Sequence, residues 1–113
     1  MADIQAIFRK IDEAVKGDPE RASGLRAIYQ FRFHEDERIY QLVFDGEKSG
    51  VVEGTAGPAD CILIMTKEDF EALAKGNLNG TKAFMSGRLK IGGDKVLALK
   101  LKDLLNAYSR AAT

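Results

Sequence analysis

Residues 83–94 read AFMSGRLKIGGD, with three glycines around the short basic and apolar run Arg88-Leu89-Lys90-Ile91. Two readings of such a stretch compete, a phosphate cradle and a set of hinges. A phosphate loop needs a glycine, four residues, and then Gly-Lys followed by Ser or Thr, between a strand and a helix. Gly87 to Gly92 has the gap, but Gly93 and Asp94 stand where the lysine and the hydroxyl belong. The dinucleotide spacing also fails, because no strand–helix–strand unit surrounds these glycines. An anion approaching the helix start at Gly93-Asp94 would meet the Asp94 carboxylate. The hinge reading remains. A short helix from about Thr81 to Ser86 stops at Gly87, "RLKI" forms a four-residue strand, Gly92-Gly93 turns the chain, and Asp94 caps a last helix over 95–110.

Upstream, "ADCILIM" (59–65) alternates Cys61, Leu63 and Met65 with Ile62 and Ile64, a strand from Asp60 to Met65. Apolar residues on both faces predict a strand covered on both sides, or covered on one and half-exposed on the other. Thr66 then caps a helix with Asp69 three residues on, and Phe70, Leu73 and Ala74 share one face before Gly76 ends it.

The N-terminal half carries the same clear periods. Asp3 caps a helix over 4–16, on which Ile4, Ile7, Phe8, Ile11 and Val15 recur at helical spacing. Asp18-Pro19 reads as a cap followed by proline at the first position of a short turn. From Leu25 the period drops to two, with Ala27, Tyr29, Phe31 and Phe33 facing one way. "IYQLVFD" (39–45) presents Tyr40, Leu42 and Phe44 together, Asp45-Gly46 favours a tight turn, and "VVEGT" is a weaker third strand. Three strands joined by short turns predict an antiparallel meander. The whole predicts an α+β fold, a five-stranded and largely antiparallel sheet with helices packed on one face.

With 113 residues the chain suits a single domain spanning 1–113. Seventeen basic and seventeen acidic residues give a formal net charge of zero, so the overall field offers no case for nucleic acid as a partner. The charge is unevenly spread. Residues 1–81 carry ten basic and fifteen acidic side chains, a net of −5, and residues 82–113 carry seven and two, a net of +5. A basic rim of this kind can be a solvated surface or a surface that meets anionic headgroups. One cysteine forms no internal disulfide and fits a reducing compartment. The first residues, "MADIQAIFRKIDEAV", lack a signal-peptide core, and the final "SRAAT" is no peroxisomal address, so a cytoplasmic location is the expectation.

Residues able to do chemistry are sparse. His34, the one histidine, ends a strand before "EDE" without a serine or second histidine placed to join it, and reads as a surface residue. Cys61 inside an apolar strand reads as a small hydrophobe, because a nucleophilic thiol needs an electropositive, accessible setting. Asp60 and Asp69 are read as a turn residue and a helix cap rather than paired catalytic carboxylates. The expectation is no enzyme, no metal and no cofactor. What stands out is the last helix, where Val96, Leu97, Leu99, Leu101, Leu104, Leu105 and Tyr108 wrap more than the narrow stripe a solvated helix requires. The excess implies either a cavity between helix and sheet or a surface for a partner.

The second half resembles the sterol carrier protein type 2 (SCP-2) family. The shared pattern begins at "ADCILIM" and continues in "EDFEALAKG" with Asp69, Phe70, Leu73 and Gly76. In "AFMSGRLKIGGD" it covers Ala83, Phe84, Gly87, Leu89, Lys90, Ile91 and Gly93, and it enters the last helix at Ala98 and Leu101. Gly92 departs from the family's small side chain at that position. The motifs span about Ala59 to Leu105, and residues 25–55 agree in pattern alone. The resemblance implies a five-stranded sheet under helices that enclose a hydrophobic cavity. It also implies non-catalytic binding and transfer of a fatty acid, fatty acyl-coenzyme A, phospholipid or sterol.

On that reading the candidate lining is Phe70, Leu73, Phe84, Met85, Leu89, Ile91, Leu97, Leu101, Leu104 and Tyr108. Lys90, Lys100 and Lys102 are candidates for steering anionic headgroups or a membrane surface. The competing expectation is a dimerisation or accessory module, in which the last helix covers a second copy or another protein. A small hydrolase built on Cys61 and His34 is a minor third.

Overall fold

Apolar residues at positions 4, 8, 11 and 15 can be buried together only on a helix. In the computed structural model, which describes residues 3–18 and 24–111, they are the buried face of α1 (Ile4–Gly17). Asp3 caps this helix by accepting the Ala6 N–H at 3.1 Å. The elements that follow are β1 (Arg26–Phe33), β2 (Ile39–Asp45), β3 (Gly50–Glu53) and β4 (Cys61–Met65). After them come α2 (Lys67–Ala74), α3 (Gly80–Met85), β5 (Lys90–Gly93) and α4 (Lys95–Ala111). A single 3₁₀ turn, Gly46–Lys48, joins β2 to β3. Asp18 closes α1, its N–H donating to the Ala14 carbonyl, and the turn expected from Pro19 onward lies outside the described residues.

The five strands form one sheet in the order β3-β2-β1-β4-β5. Three neighbouring pairs are antiparallel, β1–β2 and β2–β3 forming the predicted meander and β4–β5 the third, but β1 and β4 run parallel, with Tyr29 opposite Cys61 and Phe33 opposite Met65. The sheet is therefore mixed. The parallel pair exists because residues 54–60 carry the chain from the β3 edge back across β2 and β1. Gln41, which strand alternation places on the polar face, is buried beneath that crossing and secures it. Its amide nitrogen donates to Gln30 Oε1 (2.9 Å) and the Gly57 carbonyl (3.0 Å), and its oxygen accepts the Ala56 N–H (2.8 Å). A buried amide satisfied on both sides fixes a loop as firmly as a short ladder does. At the end of the crossing, the Asp60 carboxylate accepts the Ile28 N–H at 2.8 Å, and Asp60 N–H donates to the Ile28 carbonyl.

The inner face holds Tyr29, Phe31, Phe33, Tyr40, Leu42, Phe44, Cys61, Leu63 and Met65, all buried. The other face of β4, with Ile62 and Ile64, is half-exposed. At one end of the inner face Phe8 stacks on Tyr40 (4.4 Å between centroids) and on Phe70 (4.7 Å), and meets Phe31 edge-on at 5.4 Å. Offset and edge-on pairs of this kind add to the burial of each ring. At the other end α4 lies over β4 and β5 and packs against α1. No helix among the described residues is long and apolar enough to cross a membrane.

The stretch 83–94 folds in the expected order with one shift. The strand is Lys90–Gly93, not 88–91, and Arg88 and Leu89 form the turn before it. Gly92 and Gly93 are paired strand residues opposite Ile62 and Cys61, rather than a turn. The reason is a close backbone approach. Gly93 has φ +79°, and a Cβ there would lie 2.5 Å from the Asp60 carbonyl oxygen. Glycine is required where the β4 entrance meets the end of β5.

Candidate functional site

Between α2 and α4 the chain makes two sharp local reversals, and these leave a hollow over β4 and β5. α2 is capped by the Thr66 hydroxyl, which accepts the Asp69 N–H at 3.1 Å. The turn after α2 folds back on that helix, with Asn77 and Leu78 N–H both donating to the Ala72 carbonyl. Asn79 then caps α3 by accepting the Lys82 N–H at 3.1 Å. Gly87, at φ +82°, ends α3, and Arg88 and Leu89 N–H both return to the Ala83 carbonyl. Leu89 is thereby buried beneath α3. Arg88 makes a two-pronged contact with the Asp69 carboxylate, its Nε donating to Oδ2 at 3.3 Å and its Nη2 to Oδ1. That fork ties α2 to the turn before β5.

The start of α4 is pinned from below. Asp94 Oδ1 accepts the Val96 N–H at 2.9 Å, Asp94 N–H donates to the Asp60 carbonyl, and the buried Tyr29 hydroxyl donates to the Leu97 carbonyl at 2.8 Å. α3 is short and does not fill the space beside α4. The remaining cavity measures about 180 Å³. Leu63 and Ile91 form its floor, Leu73, Gly80, Thr81, Phe84 and Leu89 one wall, and Lys95, Ala98, Leu99, Leu101, Lys102 and Leu105 the α4 side. Its mouth is unusually apolar. Phe84 is 41% exposed, Met85 80%, Val96 61% and Leu99 66%, and the Lys95 ammonium stands 5.7 Å above the Phe84 ring. A second hollow, about 300 Å³ and more polar, abuts the first along Leu73, Lys102 and Leu105, and is completed by Gly76, Asn77, Leu78, Asn79 and Asn106.

Of the ten apolar residues predicted to line a cavity, Leu73, Phe84, Leu89, Ile91 and Leu101 do so. Phe70 is instead enclosed in the aromatic cluster with Phe8, Phe31 and Phe33. Met85, adjacent to Phe84 on a helix, is carried out of the cavity to its exposed rim. Leu97 and Leu104 are half-buried against the core and do not line the cavity. The side chain of Tyr108 lies outside the described residues. The cause is the phase of the last helix: positions 97, 101, 104 and 108 are one apolar stripe, whereas the face over the cavity runs through 98, 101 and 105, with 95, 99 and 102 beside it. Ala98 and Leu105 mark that face in the sequence at helical spacing. Leu63 was marked only as an inward strand residue, and Gly80, Thr81 and Lys95 had no local mark.

The three predicted steering lysines separate. Lys102 borders both hollows. Lys100 is exposed and borders neither. Lys90 pairs with Ile64, on the opposite face of the sheet from the cavity floor formed by Leu63 and Ile91.

Neither Cys61 nor Tyr29, beneath the start of α4, is activated. Burial, reinforced by Asp94 and Asp60, pushes the Cys61 thiol up to about 11, and it is wholly buried. Burial likewise raises the Tyr29 hydroxyl well above its usual range. His34 is exposed at the end of β1. Among the described residues, no group of three or more His, Cys, Asp or Glu is placed to hold a metal ion. The arrangement can enclose and orient an apolar molecule.

Comparison with known proteins agrees with this geometry. The SCP-2 sterol transfer family matches residues 7–106. Human hydroxysteroid dehydrogenase-like protein 2 is 35% identical over 105 residues, which is 91% of this chain and 25% of the human protein. The chain thus spans about a quarter of the length of that relative. The solution structure of the sterol carrier protein domain 2 of Helicoverpa armigera superposes with a TM-score of 0.78 at 27% identity, covering 96% of this chain and 89% of that one. Palmitated SCP2L2 from Aedes aegypti shares the fold, with a TM-score of 0.73 at 20% identity over 93% of this chain and 95% of that one.

Proposed function

The chain belongs to the SCP-2 sterol transfer family, and from that premise we propose that it is a non-catalytic carrier that binds an acyl-chain lipid in the cavity between α3, α4 and the β4–β5 floor. The observation that carries this reading is the composition of that cavity, lined by leucine, isoleucine, phenylalanine and alanine with an exposed apolar mouth. Its size favours a chain over fused rings. A protein cavity of about 150 Å³ accepts a six-carbon ring, so about 180 Å³ corresponds to roughly seven carbons. A sterol nucleus far exceeds that volume, whereas an acyl chain can thread the cavity and lay its remaining length along Phe84 and Leu99. At about 0.8 kcal/mol per buried methylene, seven methylenes contribute about 5–6 kcal/mol before the costs of association. The palmitated Aedes aegypti neighbour is a precedent for a fatty acyl chain on this fold.

Transfer requires contact with the membrane that gives or receives the lipid. The exposed Phe84, Met85, Val96 and Leu99 lie beside Lys82, Lys95, Lys100 and Lys102 on α3 and α4, a combination suited to brief docking on an anionic surface. Each lysine near such a surface is worth about 1 kcal/mol at low salt. The dehydrogenase-like relatives are about four times as long as this chain, and the non-catalytic reading concerns this chain's own residues.

The test is direct. The purified protein is analysed by native mass spectrometry, its bound lipids are extracted and identified, and it is titrated with a fluorescent fatty acid. Co-purified acyl lipid or micromolar uptake is the expected result. Binding of neither fatty acid nor fatty acyl-coenzyme A at micromolar concentration would end the carrier reading.

A further inference from the structure

The second hollow has a lining of a different chemistry from the first, and the two share a wall. It is walled by Asn77, Asn79, Asn106 and Lys102, and it meets the apolar cavity along Leu73, Leu105 and Lys102. The backbone around it is already satisfied: Gly76 N–H donates to Leu73, and Asn77 and Leu78 N–H to Ala72. Asn79 spends its carbonyl oxygen on the Lys82 N–H, which leaves its NH₂ group to donate. Among the described residues, the side chains of Asn77 and Asn106 have no hydrogen-bond partner and Lys102 has no ion pair. Among the described residues, no carboxylate lines either hollow, and Asp103, beside Lys102 in sequence, borders neither. Glycine is required at the rim by the backbone. Gly76 sits at φ +80°, in the turn that faces Asn106 across the hollow.

A group entering this hollow meets the Asn79 NH₂ group, the amides of Asn77 and Asn106, which can donate or accept, and one ammonium, with no carboxylate among the described lining residues to oppose an anion. We infer that this hollow is the headgroup site of the proposed carrier, taking the carboxylate or phosphate oxygens of an acyl lipid whose chain occupies the adjoining cavity. The inference rests on the carrier reading and adds the class of headgroup to it. Lys102 stands at the junction, where the first anionic atom beyond the chain would lie. A neutral head of the same length would leave the ammonium without a partner. Selectivity therefore comes from charge and from convergent donors, as it does in other ligand sites that are mainly apolar.

The experiment compares three ligands with the same twelve-carbon chain, dodecanoate, dodecyl phosphate and 1-dodecanol, each displacing a fluorescent fatty acid from the full chain below its aggregation concentration. The parent protein is expected to prefer the two anions to the alcohol by about tenfold, the worth of one charge-assisted hydrogen bond at an accessible site. Lys102→Met should bring that ratio close to one, Lys102→Arg should restore most of it, and added salt should shrink it in the parent. Lys90→Met, on the far side of the sheet, should keep the parent ratio. A carboxylate-only or phosphate-only preference identifies which anion the hollow takes. Equal affinity for anions and alcohol in the parent, or a ratio that survives in Lys102→Met, overturns the headgroup site and leaves the carrier reading standing. Failure of all three ligands to bind removes both.

Discussion

Ala98→Leu sets ligand binding against protein stability with opposite signs. Ala98 lies on the cavity face of α4, half-buried and fourth in a helix that leucine suits. The substitution adds three carbons. At roughly 25 Å³ per carbon, the ratio given by a six-carbon ring in a cavity of about 150 Å³, they occupy about 75 Å³. That is some two-fifths of the 180 Å³ present. A bound chain then loses contact for about three methylenes, which is about 2.4 kcal/mol and roughly a fiftyfold weaker affinity. The ligand-free protein should gain, because filling a void returns up to about 24 cal/mol per Å³, a ceiling near 1.8 kcal/mol for this volume. The assay pairs a fluorescent fatty acid titration with urea unfolding of the lipid-free protein. Unchanged affinity with raised stability would refute the reasoning, since the void would be filled while the ligand bound elsewhere. A loss of stability beyond about 1 kcal/mol would refute it too, because overpacking means the space was not there. If the leucines of α4 instead served a protein partner, filling an interior void would leave association untouched.

Other outcomes follow from the same geometry. Gly93→Ala should destabilise the protein by at least about 2 kcal/mol in chemical denaturation, because φ +79° and a 2.5 Å approach to the Asp60 carbonyl both oppose a side chain; a change within about 0.5 kcal/mol would contradict the close approach. Met85→Asp should weaken binding to vesicles containing anionic lipid by about tenfold or more, the value of one methionine side chain, while affinity for a soluble fatty acid stays as in the parent because Met85 does not line the cavity; equal vesicle binding would move the docking surface elsewhere. The Cys61 thiol has a pKa raised in the folded state from 9.0 to about 11, so between those values the unfolded chain releases a proton that the folded one retains. Unfolding is favoured in that window, and stability should fall as pH rises from about 9 to about 11. The Cys61→Ala variant should show a shallower decline, and identical slopes would rule out Cys61 as a source.

Local pattern made most of the fold legible. The inward faces of β1, β2 and β4, the caps at Asp3 and Thr66 and the element order are all set by near neighbours, whose period and hydrogen bonding show in the residues themselves. The parallel pairing of β1 with β4 was not legible, because it depends on where residues 54–60 travel and on Gln41, a polar residue that alternation assigns to solvent. The site divided in the same way. Leu73, Leu89 and Ile91 were recognisable as inward positions on short elements. Phe70 and Leu97 were equally inward by pattern, yet the first is consumed by the aromatic cluster and the second packs against the core.

What the sequence by itself determined is the inward face of α1, β1, β2 and β4, since period and composition settle that within each of these elements. Through "AFMSGRLKIGGD" it also carries the family pattern. Which of the buried residues touch one another and which border empty space was decided only in the tertiary structure. A cavity is a failure of neighbouring elements to fill the volume between them. It depends on the phase of α4, the shortness of α3 and the turn that Arg88 ties to Asp69, and no single stretch of chain encodes that sum. The second hollow shows the point most clearly. Asn77, Asn79, Lys102 and Asn106 are ordinary surface residues in one dimension, and only the packing of the α2–α3 turn against α4 gathers them at the end of an apolar cavity.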